Sequence, residues 1–325
     1  MIRFPRDPSE AVAALRQGGV ARAGGTDLTE LRHHGLHRGD VVDLSLVDGL
    51  DRIEQTEDGG LSVGALVTLR DLAADPRIRG SYPGLAATAN GLATPQIRAQ
   101  ATLGGSLLQD VRCWYYRSDQ FRCLKKGGAS CLARAGDHHD HAPVDLGPCM
   151  APHPSTMALP LLAMGARVTV QGAEDRDLAG LLGDGSDART THTLPPGALL
   201  THVVLPPPQV GSRAAYHRTI QRSRAEWPLV EAFVQLDAPG GVIREARVTL
   251  GGIANRPLRV KAVEAALVGL PIGADPSRAL AVFASWKAQK PATETRLALV
   301  SVTVADTLAL AAGATPAAAL PGGTP

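Results

Sequence analysis

Along residues 8–18 the apolar positions Ala11, Val12, Ala14 and Leu15 recur at helical spacing behind Ser9, a residue suited to an N-cap. That pattern predicts a short amphipathic helix. Residues 20–23, 41–44 and 61–65 read as brief buried strands, 68–75 as a capped helix and 85–92 as a second helix. Helix and strand alternate over 1–205, which predicts an α/β unit. A stretch rich in Gly, Asp and Thr at 175–196 reads as a surface excursion, and Pro206-Pro207-Pro208 as a boundary. Beyond it, 229–236 and 242–250 alternate apolar with polar residues around Pro239-Gly240-Gly241, as an antiparallel hairpin does. Helical patterns occupy 259–268, 277–289 and 295–312. The predicted fold class is α+β: a first domain over 1–205, a smaller C-terminal domain of antiparallel sheet plus helices over 210–314, and a tail over 315–325 whose Ala, Gly, Pro and Thr predict mobility. No internal repeat is present.

A chain of 325 residues exceeds what one small core organises, which agrees with two units. With 44% hydrophobic and 20% charged residues and a net charge of +2, the composition is that of a globular protein. Basic residues are dispersed among acids and aromatics make up 3%, so no nucleic-acid surface is expected. Charges and a proline interrupt the first residues, and no run of eighteen apolar residues occurs. Neither an export signal nor a membrane span is therefore expected, and a cytoplasmic location is the default.

Two segments share one physical character: Ala23-Gly24-Gly25-Thr26-Asp27 and Thr102-Leu103-Gly104-Gly105-Ser106. A glycine pair lets successive backbone N–H groups converge, and a following hydroxyl adds a donor, so two such loops suit a pyrophosphate. Either alone is more often a plain turn; the pair together favours a site. Neither G-x-G-x-x-G nor G-x-x-x-x-G-K-[ST] is present, which argues against an ordinary Rossmann or P-loop site. H-E-x-x-H and G-x-S-x-G are absent too, and no catalytic acid, base or nucleophile is assigned.

All four cysteines, Cys113, Cys123, Cys131 and Cys149, fall in one short window. They lack the close pairs of a structural zinc site, and without an export signal disulfides are disfavoured. Four thiolates match the ligand count of a 4Fe-4S cluster, with zinc or unliganded thiols as alternatives on spacing alone. Arg112, Arg117, Arg122, Lys125 and Lys126 are placed to lower thiolate pKa values. His138, His139, His141 and His153 lie in the same region and could supply a ligand, though each taken singly reads rather as part of a solvated loop. Trp114, Tyr115 and Tyr116 beside Cys113 read equally as a packed aromatic cluster or as a shield or subunit contact.

These residues resemble a known family over almost the whole chain: the FAD-binding medium subunits of xanthine dehydrogenase-like molybdenum hydroxylases, in the branch with an iron-sulfur insertion. The carriers are Ala23-Gly24-Gly25-Thr26-Asp27-Leu28, Pro95-Gln96-Ile97-Arg98, Ala101-Thr102-Leu103-Gly104-Gly105-Ser106, Arg112-Cys113-Trp114-Tyr115-Tyr116-Arg117, the later cysteines, His153-Pro154-Ser155, and Arg247-Val248-Thr249-Leu250-Gly251-Gly252. The resemblance implies a two-part FAD domain like that of vanillyl-alcohol oxidase, an insertion at about 110–150, and a CO-dehydrogenase-flavoprotein-like C-terminal domain. It further implies that FAD meets Ala23, Gly24, Gly25, Thr26, Asp27, Leu28, Thr102, Gly104, Gly105, Ser106, Thr156, Leu200 and Arg218. Cys113, Cys123, Cys131 and Cys149 would hold a 4Fe-4S cluster. The sequence departs from the pattern at Arg218, where relatives have Lys, at Ser106 for a frequent Asn, and at Thr156 for a common Asp.

The role implied by the resemblance is that of an electron-transfer subunit working with a molybdenum-cofactor large subunit and a 2Fe-2S small subunit, since neither of those cofactors has a motif in this chain. It would discharge to a small-molecule acceptor. The departures motivate two alternatives: a stand-alone flavin oxidoreductase, and an assembly protein that has lost FAD.

Overall fold

The computed structural model describes residues 1–223 and 225–313. Its strands form three sheets in chain order. The first joins β1 (Ile2–Arg3), β2 (Val20–Arg22) and β3 (Val41–Asp43) as a parallel trio with β3 in the centre. The second holds β4 (Ile53–Gln55), β5 (Leu61–Gly64), β6 (Arg167–Gln171), β7 (Arg176–Asp177) and β8 (Leu199–Leu205) in the order β4-β5-β8-β6-β7, all antiparallel. The third runs β12-β11-β10-β9 from β9 (Arg213–Thr219), β10 (Val230–Asp237), β11 (Glu245–Gly251) and β12 (Leu258–Arg259), again antiparallel. The α+β class is therefore correct for the chain, while the α/β alternation read over 1–205 describes only the first trio. The second sheet is closed by β8, drawn in between β5 and β6 from far along the chain, a pairing local periodicity does not encode.

Several elements start or stop elsewhere than the pattern predicts, each for a visible reason. The first helix, Pro8–Arg16, is capped by Asp7 and not by Ser9: the Asp7 carboxylate accepts from the amides of Ser9 and Glu10 at 2.7 and 3.0 Å. Proline is suited to the first helical position, having no amide to satisfy there, so the cap falls one residue before it. The helix predicted over 277–289 ends at Leu280 and continues as a 3-10 turn over Ala281–Ser285. Trp286 then stacks edge-on against Phe283 and the Gln289 amide donates to Pro143, which pulls the chain away from the helix axis. The excursion at 175–196 contains β7 and the helix Leu178–Leu182, whose Leu178, Leu181 and Leu182 are buried in the main core. The tail expected over 315–325 lies outside the described residues.

The third sheet sets the layout of the whole molecule. Val230, Ala232, Val234 and Leu236 face the helices Lys261–Leu267 and Glu294–Ala312, while Phe233 faces the other way into the core of the second sheet. Every residue of β10 is buried, so the alternation that predicted the antiparallel hairpin separates two interior faces, not core from solvent. Pro291–Ala312 is long and apolar enough to cross a membrane by length and composition alone. Its helix lies across β9 and β10, burying Val300, Val304 and Leu308 there.

Candidate cofactor site

The first glycine loop leaves β2 at Ala23 and ends where Leu28 opens the helix Leu28–His33. Gly24 is pressed so closely against Gln100 that a Cβ there would stand 1.7 Å from the Gln100 carbonyl oxygen. Only glycine permits this approach, and it brings the first loop onto the chain leading into the second. Gly25 holds φ +71. Among the described residues the amides of Gly24, Gly25 and Thr26 donate to no protein acceptor, as an anion nest requires.

The second loop is different from the nest expected. Its Gly104 amide donates to Ala65, its Gly105 amide to the Thr102 hydroxyl at 3.1 Å and its Ser106 amide to the Thr102 carbonyl. Thr102 caps the short helix Leu103–Leu107. A Cβ on Gly104 would meet that of Ala65 at 2.7 Å, so this glycine packs the loop onto the second sheet. What the second loop offers a ligand is a surface without side chains and the hydroxyls of Thr102 and Ser106.

Between the loops lies a cavity of about 600 Å³, lined by Ala23, Gly24, Gly25, Thr26, Asp27, Leu28, Thr102, Gly104, Gly105 and Leu200. A neighbouring cavity of about 260 Å³ shares Thr26, Asp27 and Gly105 with it and adds Ser106, Thr156 and Arg218. The structure thus gathers every residue the sequence singled out for flavin along one cleft of cofactor dimensions. The unpaired amides and the cradle without side chains fit a diphosphate, and the apolar wall around Leu200 fits an aromatic group.

The Asp27 carboxylate ties this cleft to the cysteine segment. It accepts from Arg117 at 2.6 Å and from the Asp110 amide at 2.9 Å and forms an ion pair with Arg112 at 2.9 Å, and Arg112 and Arg117 also reach Glu30. Two of the bases expected to lower thiolate pKa values are therefore engaged by carboxylates. Burial wins at Cys113, whose thiol is pushed up to about 11.

Cys113, Cys123 and Cys131 each stand just before a helical turn, and backbone amides point at the sulfurs: Tyr115 and Tyr116 at Cys113, Ala133, Arg134 and Met150 at Cys131, Ala151 at Cys149. Cys131 and Cys149 share a hydrogen bond, which draws Cys131 down and pushes Cys149 up. All four are free, and Cys113, Cys123 and Cys149 pack into one small cluster with Val111, Tyr116 and Ala151. Among the described residues no three His, Cys, Asp or Glu side chains close on a point that could hold a single metal ion. By donor count alone, four cysteine sulfurs match what a 4Fe-4S group takes, one to each iron.

His138 is half-buried and His139 exposed, but His141 and His153 are buried, against the solvated-loop reading. His141 meets the Cys113 sulfur at 3.1 Å, and burial with the Arg296 charge holds it down to about 4. Burial holds His153 down to about 3. Tyr116 is packed with its hydroxyl on Asp110, and Trp114 stacks edge-on against His141. Sequence reasoning missed Trp227, which stacks under Arg112 at 4.4 Å and lines the smaller cavity, and the buried Glu231 with its part-buried partner Tyr216. No periodicity signal marks them.

The fold and the cleft define a flavin-binding subunit of a redox enzyme. The family model described as the FAD binding domain in molybdopterin dehydrogenase matches residues 2–208, and that of the CO dehydrogenase flavoprotein C-terminal domain matches 214–287. The aldehyde oxidoreductase FAD-binding subunit PaoB of Escherichia coli (strain K12) is 36% identical over 275 residues, covering 80% of this chain and 83% of that one. The nicotinate dehydrogenase FAD-subunit of Eubacterium barkeri is 25% identical over 252 residues, covering 77% and 72%. Among solved structures, Cu,Mo-CO dehydrogenase superposes with TM-score 0.73 at 22% identity, covering 96% of this chain and 97% of that one. Quinoline 2-oxidoreductase from Pseudomonas putida 86 does so with TM-score 0.73 at 22% identity, covering 96% of each. The chain belongs to the family of FAD-binding subunits of the xanthine dehydrogenase and CO dehydrogenase type.

Proposed function

We propose that this chain is the electron-transfer subunit of a molybdenum-dependent dehydrogenase, with FAD in the cleft and a 4Fe-4S cluster on Cys113, Cys123, Cys131 and Cys149. The observation that carries the reading is the convergence of both glycine loops, Leu200, Thr156 and Arg218 on one cleft, joined through Asp27 to the cysteine segment. Bound FAD supplies reversible one- and two-electron exchange. The amides of Gly24, Gly25 and Thr26 bind its diphosphate, with the hydroxyls of Thr102 and Ser106 as further donors. Leu200 in β8 would exclude water from the larger cavity, and Arg218 in β9 would offer a positive charge to the part of the cofactor that reaches the smaller one. The amides around Cys113, Cys131 and Cys149 would stabilise thiolate charge on bound ligands and offset part of the burial that raises the Cys113 and Cys149 thiols.

The partners are a molybdenum-cofactor large subunit and a 2Fe-2S small subunit, with a small molecule as final acceptor. Support comes from PaoB and the nicotinate dehydrogenase FAD-subunit, both named as subunits of larger enzymes. The test is co-expression with neighbouring genes encoding such subunits, purification through a tag on this chain, and anaerobic addition of aldehydes and N-heterocycles. The flavin absorbance bleaches in the complex and not in the isolated chain. Bleaching in the isolated chain would instead establish a stand-alone flavin oxidoreductase.

A further inference from the structure

Glu231 is the carboxyl group most completely withdrawn from water, with 2% of its surface exposed, in a strand whose polar residues face inward. It sits in the middle of a cross-strand row, opposite Arg218 of β9 on one side and Gly251 of β11 on the other. A Cβ on Gly251 would stand 2.5 Å from the Glu231 Oε1 atom, so the missing side chain there makes the room the carboxyl occupies. Both the Thr156 hydroxyl, at 2.7 Å, and the Tyr216 hydroxyl, at 2.9 Å, donate to Oε2. Thr156 and Arg218 in turn line the smaller of the two cleft cavities, with Gly105 and Ser106. Glu231 itself lines a further cavity of about 350 Å³ on the other side of Pro154 and Trp227, which both cavities share. A buried acid thus stands one hydrogen bond from the cleft and lines a second cavity.

We propose that Glu231 is the redox-linked proton site of this subunit: as FAD in the cleft accepts two electrons and one proton on its ring, the Glu231 carboxylate takes a second proton from solvent, and returns it on reoxidation. The proposal rests on FAD occupying the cleft. Flavin reduced by two electrons with one ring proton would carry one negative charge; a proton on Glu231, one hydrogen bond behind Thr156, would offset it, and by linkage the two uptakes would favour each other. Burial raises the Glu231 carboxyl to about 7, against the pull of the Thr156 and Tyr216 hydroxyls and the Arg218 charge, so both of its forms are accessible at neutral pH. The other charged and titratable groups around it do not replace it. Tyr216 is held far above its usual range by burial and His153 far below, which keeps both neutral. Glu226 pairs with Arg222, Arg112 with Asp27 and Glu30, and Arg296 with Asp140, while His141 is held low beside Cys113.

The experiment is proton uptake on dithionite reduction of the FAD-loaded chain, read with an indicator in weak buffer at pH 7 and 8, with FAD counted by absorbance in each sample. Wild type takes up more protons per FAD than Glu231→Gln, by about half a proton at pH 7 and approaching one at pH 8. Equal uptake at equal FAD content overturns the proposal, whereas failure of both proteins to bind FAD overturns the flavin reading beneath it, and the flavin count tells these apart. Should Glu231→Gln fail to fold, the reduced-minus-oxidised infrared spectrum of wild type at pH 8 decides. A carboxylic-acid carbonyl band gained on reduction and displaced in Thr156→Val supports the proposal, and its absence from wild type overturns it.

Discussion

Gly24 shows how a single residue couples the two loops. An alanine methyl at that position must displace the Gln100 backbone, and an overlap of this kind costs about 1–3 kcal/mol. Taken from the bound state, this weakens FAD roughly tenfold or more. Titration of Gly24→Ala by quenching of flavin fluorescence checks the figure, and wild-type affinity would refute the role given to the loop contact. His153 makes a second residue-scale prediction. Its folded pKa of about 3 lies below the ordinary 6.5, so the stability it contributes is complete above pH 6.5 and is lost as pH falls toward 3. The melting temperature of wild type therefore declines below pH 6.5 more steeply than that of His153→Gln; parallel curves would show that His153 charges freely in the folded state. The diglycine signals were legible in sequence because a hydroxyl residue, Thr26 or Ser106, follows each pair, which most of the chain's other glycine pairs lack. Glu231 was not, since an acid between apolar residues of a strand reads as solvent-facing until the second buried face is known.

At the scale of elements, the cysteine segment is held from two sides. Arg112 and Arg117 grip Asp27 at the end of the first glycine loop, while on the other side Arg296 donates to the Asp140 and His141 carbonyls and Val144 and His153 donate to Ile253 and Ala254. Removing the carboxylate leaves two guanidinium groups partly buried without it, so Asp27→Ala is expected to cost about 3 kcal/mol. Urea unfolding measures the loss, and the same variant releases iron more readily than wild type; an unchanged midpoint would contradict the bridging role. The element pattern was mostly readable: the β10–β11 hairpin and the long final helix stand where periodicity put them. The misreadings came where tertiary contacts outvoted local signals, as when Trp286 and Gln289 end a helix early, or when Leu178, Leu181 and Leu182 bury a stretch whose glycines suggested surface.

For the molecule as a whole, β10 joins the layers. Phe233 is wholly buried in the core of the second sheet, while its neighbours on the strand fill the core beneath the final helix. Truncation to Phe233→Ala leaves a cavity where the third sheet meets the core of the second, at a cost of about 3–5 kcal/mol. Calorimetry of the apo chain tests this, and a loss below about 1 kcal/mol would show that the layers are not packed as one body. Sequence showed both glycine loops and the four cysteines in one chain, but not that Asp27 ties the first loop to Arg112 and Arg117 far along it.

Whether one chain carries flavin and cluster together is measured most directly by anaerobic purification and then optical and EPR spectra with flavin and iron counts. The expected result is about one FAD and about four irons per chain, with the reduced-cluster EPR signal abolished in Cys149→Ser while FAD is retained. A preparation that binds FAD without iron would contradict the cluster on the four cysteines, and one with neither would contradict the flavin site as well.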